Sequence, residues 1–319
     1  MSKNRIFSFV FTFFFLMAFI IYAILNPDIL SALSGIGLLA ISLIVLGRIL
    51  LYISNGLFIK FSAEAFTKKL TFGEGVYVGI LSALGNFFGP ILGGASIRAV
   101  YLKKAHSLSY SKFTSTLMGY YVILFMVNCI AALLALFFIS PSEQKNILMG
   151  IFSIWFVVLA ILLFVKLPSW SKLNYKGKHR YLTKALSLLS SIQDGWFSIQ
   201  RNKKLVNKLV LLAMLSFFAN LLMAAVEFNI IGAEISLPAL MLYSVFITVS
   251  LLISFTPGAI GIRETLLLLV SSSLGVTNQE ILQVALIDRS INFIILFVIF
   301  LISRNSWLKT KLTGRKMSL

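Results

Sequence analysis

Two adjacent pairs of ionisable residues lie inside apolar segments near the C-terminal end of the chain: Arg263 with Glu264, and Asp288 with Arg289. Charged side chains are costly inside a membrane, and they tend to mark pathways or internal ion pairs. A guanidinium can bind a phosphate through two parallel N–H donors, which an ammonium cannot do. The sequence therefore predicts an anion site formed by Arg263 and Arg289 and oriented by the two carboxylates. The alternative is that the four charges only neutralise one another.

Pro257, Gly258 and Gly261 precede Arg263 and disfavour a regular helix. A proline lacks the backbone N–H donor, and glycine is a poor helix former. The chain is predicted to unwind here and to form a helix again from about Ile262. The first N–H groups of that helix and the positive end of its dipole favour an anion. Unwound backbone persists at membrane depth only when protein buries it or when it lines a polar cavity. We interpret this stretch as the floor of a site.

Composition predicts a membrane protein. The chain is 59% hydrophobic and 12% charged, with a mean hydropathy of +0.97, whereas about a quarter of a soluble domain is charged. We predict an all-α polytopic integral membrane protein with a single domain over residues 1–319. The lone Cys129 excludes disulfides within the chain, and His106 and His179 are far apart, so no metal or cofactor is expected. The net charge of +18 is distributed in a way that favours binding to lipid headgroups rather than to nucleic acid.

Six apolar segments are predicted to be full transmembrane helices: Phe7–Leu25, Ile29–Ser54, Phe113–Ile139, Ile147–Val165, Leu209–Ile231 and Ile281–Ile302. Basic residues flank them asymmetrically, so the positive-inside rule places both termini in the cytoplasm, with the protein in the cytoplasmic (inner) membrane. Arg48 is predicted near the cytoplasmic end of the second helix.

The loop 166–208 contains ten Lys or Arg residues, and it is predicted to be cytoplasmic. Apolar residues recur in it at helical spacing, from Leu182 to Trp196. One interpretation is an amphipathic helix that binds anionic lipids of the inner leaflet. The other is a solvated basic loop that only fixes the topology.

Two further apolar segments, about 73–97 and 238–274, are interrupted by proline and glycine. Their arms are too short to cross a hydrocarbon core of about 30 Å twice. We predict two re-entrant helical hairpins that enter from opposite sides. For the first segment, the alternative is a kinked full span. Both breaks run from a proline through glycine to Ile-Arg, which predicts an inverted repeat with its site where the broken helices meet.

Two stretches resemble motifs of the lysylphosphatidylglycerol synthase transmembrane family, the flippase-like module of multiple-peptide-resistance-factor proteins. Its C-terminal signature is similar to Pro257-Gly258-x-x-Gly261-x-Arg263-Glu264, followed by Asp288-Arg289. Its first motif is similar to Asn86, Pro90, Gly94 and Arg98, followed by Tyr101-Leu102. The resemblance implies movement of amino-acylated or otherwise modified lipids between leaflets. Because no aminoacyl-transferase domain follows Ile302, lipid lysinylation by this chain itself is not expected.

The candidate site is completed by Asn86, Pro90, Arg98 and Glu227, with Arg98 expected at the inner interface. The leading hypothesis is a lipid flippase, not an enzyme, that moves an anionic or modified phospholipid or a polyprenyl-linked lipid. The alternative is a membrane-embedded subunit or enzyme of envelope lipid or glycan modification. An enzyme would need clustered acid and base groups or a metal constellation, which the scattered acidic residues do not supply. Expected protein partners are a second copy of the chain or a separate lipid-modifying enzyme.

Overall fold

The computed structural model describes residues 36–66, 68–88, 93–164, 196–197, 199–253, 259 and 261–303. All regular structure in these ranges is helical, and five of the helices are long and apolar enough to cross a membrane. The chain is therefore a polytopic helical membrane protein, as its composition predicts. The predicted first span, Phe7–Leu25, and residues 166–195 of the basic loop lie outside the described ranges.

In chain order the described helices are α1 (Leu38–Glu64), α2 (Phe72–Phe88), α3 (Gly93–His106), α4 (Tyr110–Phe138), α5 (Glu143–Phe164), α6 (Lys203–Ile230), α7 (Leu237–Val249), α8 (Ile262–Leu269), α9 (Ser271–Leu274) and α10 (Asn278–Ser303). The long helices α4, α5, α6 and α10 confirm four of the predicted full spans. Large apolar side chains stay exposed on the surface of this bundle, and Phe164, for example, is 78% exposed. A lipid bilayer is the solvent that such a surface needs.

The second predicted span, Ile29–Ser54, is wrong in its boundaries. The helix begins only at Leu38, because Gly37 before it is extended, with φ −63° and ψ 146°, and glycine is costly in a helix. It then continues through Gly56 to Glu64, and its last turns bury Phe58 and Ile59 completely. Arg48 consequently lies ten positions after Leu38, in the first half of the helix and not near its C-terminal end, where the span Ile29–Ser54 would place it.

The helices α2 and α3 form the first hairpin. The start of α2 lies beside the end of α3. The Glu74 carboxylate near the start of α2 accepts a hydrogen bond from Tyr101 Oη and contacts His106 Nε2, both at 2.6 Å. Across the break, Asn86 Oδ1 accepts the backbone N–H of Gly94 at 2.8 Å. The arms have 17 and 14 residues, which is about 25 and 21 Å at 1.5 Å per residue. Neither arm reaches across a core of about 30 Å.

Three glycines set how closely α1 approaches the first hairpin. A Cβ atom on Gly75 would lie 2.6 Å from the carbonyl oxygen of Gly56, and one on Gly79 would lie 2.9 Å from the Gly56 nitrogen. The two backbones are therefore in direct contact. Gly75 and Gly79 have the small-xxx-small spacing that allows such close packing between membrane helices. The first hairpin is thus fixed against α1.

The second hairpin consists of α7, the 3₁₀ turn Ser250–Leu252, α8 and α9. Its second arm begins at Ile262, which confirms the predicted restart of the helix. Gly261 precedes it with φ +83°, a conformation that only glycine adopts without strain. The far end of this arm is held by Gln144, whose side chain donates to the Leu269 carbonyl at 2.6 Å and accepts from Ser273 Oγ at 2.6 Å.

The two hairpins point in opposite directions. The first runs back along α1, from Gly56 beside Gly75 toward Tyr52, which clusters with Leu84 near the hairpin tip. The helix α6 is antiparallel to α1, since Ser54 Oγ donates to the Leu212 carbonyl and Gly47 packs on Met223. The helix α7 follows α6 after a short connection and packs back against it, so the second hairpin runs with α1 and against the first. The inverted repeat itself stays a prediction.

Candidate functional site

Asp288 holds two arginines from distant parts of the chain. Its Oδ2 accepts from Arg263 Nη1 at 2.7 Å, and its Oδ1 pairs with Arg48 Nη2. The side chains of Asp288, Arg263 and Arg48 are 6%, 12% and 13% exposed. Because each carboxylate oxygen binds a different guanidinium, Asp288 joins α1 and the second hairpin to α10.

Glu264 holds the next arginine of α10. Its Oε1 accepts from Arg289 Nε at 2.6 Å, and its Oε2 accepts the backbone N–H of Gly261 at 2.8 Å. Arg289 Nη2 also donates to the carbonyl of Ala259 at 3.2 Å. The backbone N–H of Gly261, immediately before α8, is therefore occupied by a carboxylate of the protein itself. These hydrogen bonds connect Ala259 and Glu264, on either side of Gly261, to Arg289 of α10.

The structure thus divides the four charges of the initial prediction into two separate pairs. Arg263 and Arg289 bind different carboxylates, and the guanidinium that shares a carboxylate with Arg263 is that of Arg48. Arg48 is not among the site residues that the sequence predicts. A lone arginine within an apolar helix is itself a signal of a buried polar site, but its partner lies 240 residues away.

Several polar atoms of this cluster have no hydrogen-bond partner among the described residues. They are Arg48 Nε, Arg263 Nε, Arg263 Nη2 and Glu227 Oε1. A buried polar group left without a partner is costly. Unsatisfied donors on two neighbouring guanidiniums are the groups that an oxyanion would satisfy, through charge-assisted hydrogen bonds.

The cluster lies deep in the helix bundle. Arg48 and Asp288 each lie ten positions after the first residue of their helices, which is about 15 Å along the axis. This is about half the thickness of a hydrocarbon core of 30 Å. The structure places Glu227 in the same neighbourhood, since its carboxylate interacts electrostatically with Arg48 and Arg263.

The candidates of the first hairpin lie apart from this cluster. Asn86 bonds across the hairpin break, as described above. Arg98, which was expected at the inner interface, is instead buried at 5% exposure, and its Nε donates to the Gly94 carbonyl at 3.3 Å. The reason is that α3 packs into the bundle between α2 and α4. Pro90, Pro257 and Gly258 lie outside the described residues.

In the described ranges, no three His, Cys, Asp or Glu side chains gather closely enough to hold a metal ion. The guanidiniums and carboxylates of the cluster offer charge recognition. Two guanidiniums with unsatisfied donors could hold the phosphate of a ligand, while the paired carboxylates keep them in place.

Comparisons with known proteins agree with a membrane protein of this type. A family model described as the lysylphosphatidylglycerol synthase TM region matches residues 55–299. The chain is also similar to the UPF0104 membrane protein PH1989 of Pyrococcus horikoshii. The two are 22% identical over 243 residues, which cover 69% of this chain and 72% of the relative.

Proposed function

Because the chain belongs to the lysylphosphatidylglycerol synthase TM region family, we propose that it is a flippase for an anionic lipid. In this proposal a phospholipid, an amino-acylated lipid or a polyprenyl-linked lipid crosses between the leaflets of the cytoplasmic membrane with its phosphate in the arginine cluster. The proposed process breaks no covalent bond, so the chain acts as a transporter and not as an enzyme.

The observation that carries this proposal is the set of unsatisfied donors on Arg48 and Arg263. A lipid headgroup that crosses a bilayer must exchange its hydration for polar groups of the protein, because a charge in hydrocarbon is costly. Arg48 Nε, Arg263 Nε and Arg263 Nη2 are buried donors without partners in the described part of the chain. They can replace water around a phosphate at the depth where that replacement is needed.

The two opposed hairpins support the same proposal. In transporters, broken helices that meet near the middle of the membrane form the substrate site, and one repeat moves against the other. Here the break of the second hairpin carries Arg263, and the tip of the first hairpin packs beside Tyr52, one turn from Arg48. A phosphate between Arg48 and Arg263 would bind between α1, against which the first hairpin packs, and the second hairpin.

The direct test is the movement of a fluorescent phosphatidylglycerol between leaflets of vesicles that contain the purified protein. Arg48→Ala and Arg263→Ala are expected to abolish the movement, and so is Arg289→Ala, because Arg289 closes the break onto α10. Lysine at these positions should restore only part of the rate, because an ammonium lacks the bidentate geometry. Lys60→Ala removes a partly exposed cation outside the cluster and is the matched control, and it should leave the rate unchanged.

Two results would refute the proposal. Full activity of the lysine variants would show that simple charge balance suffices and that no phosphate is clamped. Wild-type movement in folded Arg48→Ala and Arg263→Ala proteins would exclude the cluster as a lipid path. If the wild-type protein moves no lipid at all, a role as a subunit of envelope lipid or glycan modification becomes the better hypothesis.

A further inference from the structure

Glu227 is a buried carboxylate that the proposed phosphate site does not use. It lies on α6, three positions before the end of that helix, and the residue is 1% exposed. Its Oε1 has no hydrogen-bond partner among the described residues, although a buried carboxylate normally has one. A charged group in this condition costs free energy that only nearby opposite charge or a bound proton can offset.

Several helices around Glu227 contribute charged or titratable groups. The arginines that interact with the carboxylate are Arg48 of α1 and Arg263 of α8. From α10 comes Asp288, which holds both of these arginines, and from α7 comes Tyr243, which is completely buried and interacts with Arg263. The helix α4 carries no charged residue except Lys112 in its first turn. Glu227 therefore interacts with the same two guanidiniums that would bind the phosphate.

The charges of the cluster balance in a specific way. Three arginines (48, 263 and 289) carry three positive charges, and three carboxylates (227, 264 and 288) carry three negative charges when all are ionised. The empty site is then neutral, which a low-dielectric environment favours. A lipid phosphate with one negative charge would bring the total to minus one. Uptake of one proton by Glu227 would return it to zero.

We propose that Glu227 is the proton-binding site of this protein, and that one proton binds there for each monoanionic lipid phosphate that enters. This inference rests on the proposed flippase function. On entry, the Glu227 carboxylate takes a proton from water and becomes a neutral acid, and the phosphate replaces it as the counter-ion of Arg48 and Arg263. On release the proton returns to water and the carboxylate neutralises the arginines again. The loaded and empty sites are both neutral, so a proton gradient can set the direction of lipid movement.

The test measures proton uptake when lipid binds. Dioctanoyl phosphatidylglycerol is titrated calorimetrically into the full-length protein in detergent, in buffers that differ in ionisation enthalpy. The wild-type protein is expected to take up about one proton per lipid, and its affinity should fall up to tenfold per unit of rising pH where Glu227 titrates. Glu227→Gln mimics the protonated side chain, so it should bind the lipid with no proton uptake and with little dependence on pH. Glu234→Gln, in the exposed connection that follows α6, is the matched control and should behave like the wild type.

An independent measurement guards against a variant that fails to fold. On addition of the lipid to wild-type protein, the infrared difference spectrum should gain the carbonyl band of a protonated carboxylic acid. Lipid binding without this band and without proton uptake would overturn the inference while leaving the phosphate site intact. Equal proton uptake in folded Glu227→Gln would also overturn it, and so would a complete loss of binding in that variant. Binding that is unchanged in Arg263→Ala, or absent from the wild type, would refute the phosphate site together with this inference.

Discussion

The ion bridge at Asp288 makes a quantitative prediction about stability and function together. Asp288→Asn keeps the shape of the side chain but removes the charge that Arg48 and Arg263 share. Loss of one partner from a buried ion pair costs about 3–5 kcal/mol, because the remaining charge is left without compensation. We therefore expect the free energy of unfolding to fall by about this amount. Arg48→Gln should cost a similar amount for the same reason.

The double variant Arg48→Gln/Asp288→Asn separates charge balance from function. It removes one charge of each sign, so the cluster is again balanced. If the two single losses were independent, their sum would be about 6–10 kcal/mol. We expect the double variant to lose less than half of that sum, because a balanced removal leaves no uncompensated charge. Lipid movement should nevertheless stay absent, since Arg48 is proposed to contact the phosphate.

The assay is denaturant unfolding of the four proteins in lipid–detergent bicelles, with lipid movement measured in vesicles from the same preparations. The pair Lys60–Glu64 is the control, because it is a surface pair on one helix with a separation of 3.6 Å. Its double-mutant cycle should give a coupling of only a few tenths of a kcal/mol. Additive losses in the Arg48–Asp288 cycle would refute the bridge, and wild-type lipid movement in the double variant would refute the role of Arg48.

Two further predictions concern the break and the topology. Gly261→Ala should cost about 1–2 kcal/mol of stability, because its φ of +83° is strained for any residue with a Cβ, although no described atom lies within 4 Å of that position. The double variant with Gly258→Ala should lose lipid movement. Wild-type movement in a folded double variant would show that the break has only a structural role. For the topology, cysteines at positions 142 and 278 should react with a reagent added outside, and a cysteine at 174 should react only from inside. Outside labelling at Asn174 would exclude the proposed orientation.

Local signals in the sequence correctly predicted four of the full spans and the restart of the helix in the second hairpin. The restart of the second hairpin at Ile262 followed from the cost of glycine in a helix, and the structure shows why: Gly261 has a positive φ that ends helical geometry there. The hairpin in residues 73–97 followed from arm length alone. Both inferences depend on properties of a few adjacent residues, and these properties act in the same way in any surroundings.

The pairing of charges could not be predicted in the same way. Arg263 and Arg289 were expected to act together because both are arginines near one break, yet they bind Asp288 and Glu264 respectively. The choice of partner depends on how α1, α8 and α10 pack, and that arrangement is set by contacts between residues far apart in the chain. Arg48 was placed too near the end of its helix because the helix boundary was misplaced by several residues. Because of this error in the helix boundary, Arg48 is missing from the site that the sequence predicts.

The close contact of α1 with the first hairpin has a mechanical consequence. No side chain fits between the backbones at Gly56, Gly75 and Gly79, so α1 and the first hairpin must move as one body. Arg48, about two turns before Gly56 on the same helix, moves with that body, whereas Arg263 moves with the second hairpin. The carboxylate of Asp288 then links the two bodies, and one of its two ion pairs must break when the bodies separate. In the proposed transport, a phosphate that replaces Asp288 as the hydrogen-bond acceptor lowers the cost of breaking that ion pair, so binding of the lipid favours the movement of the two bodies.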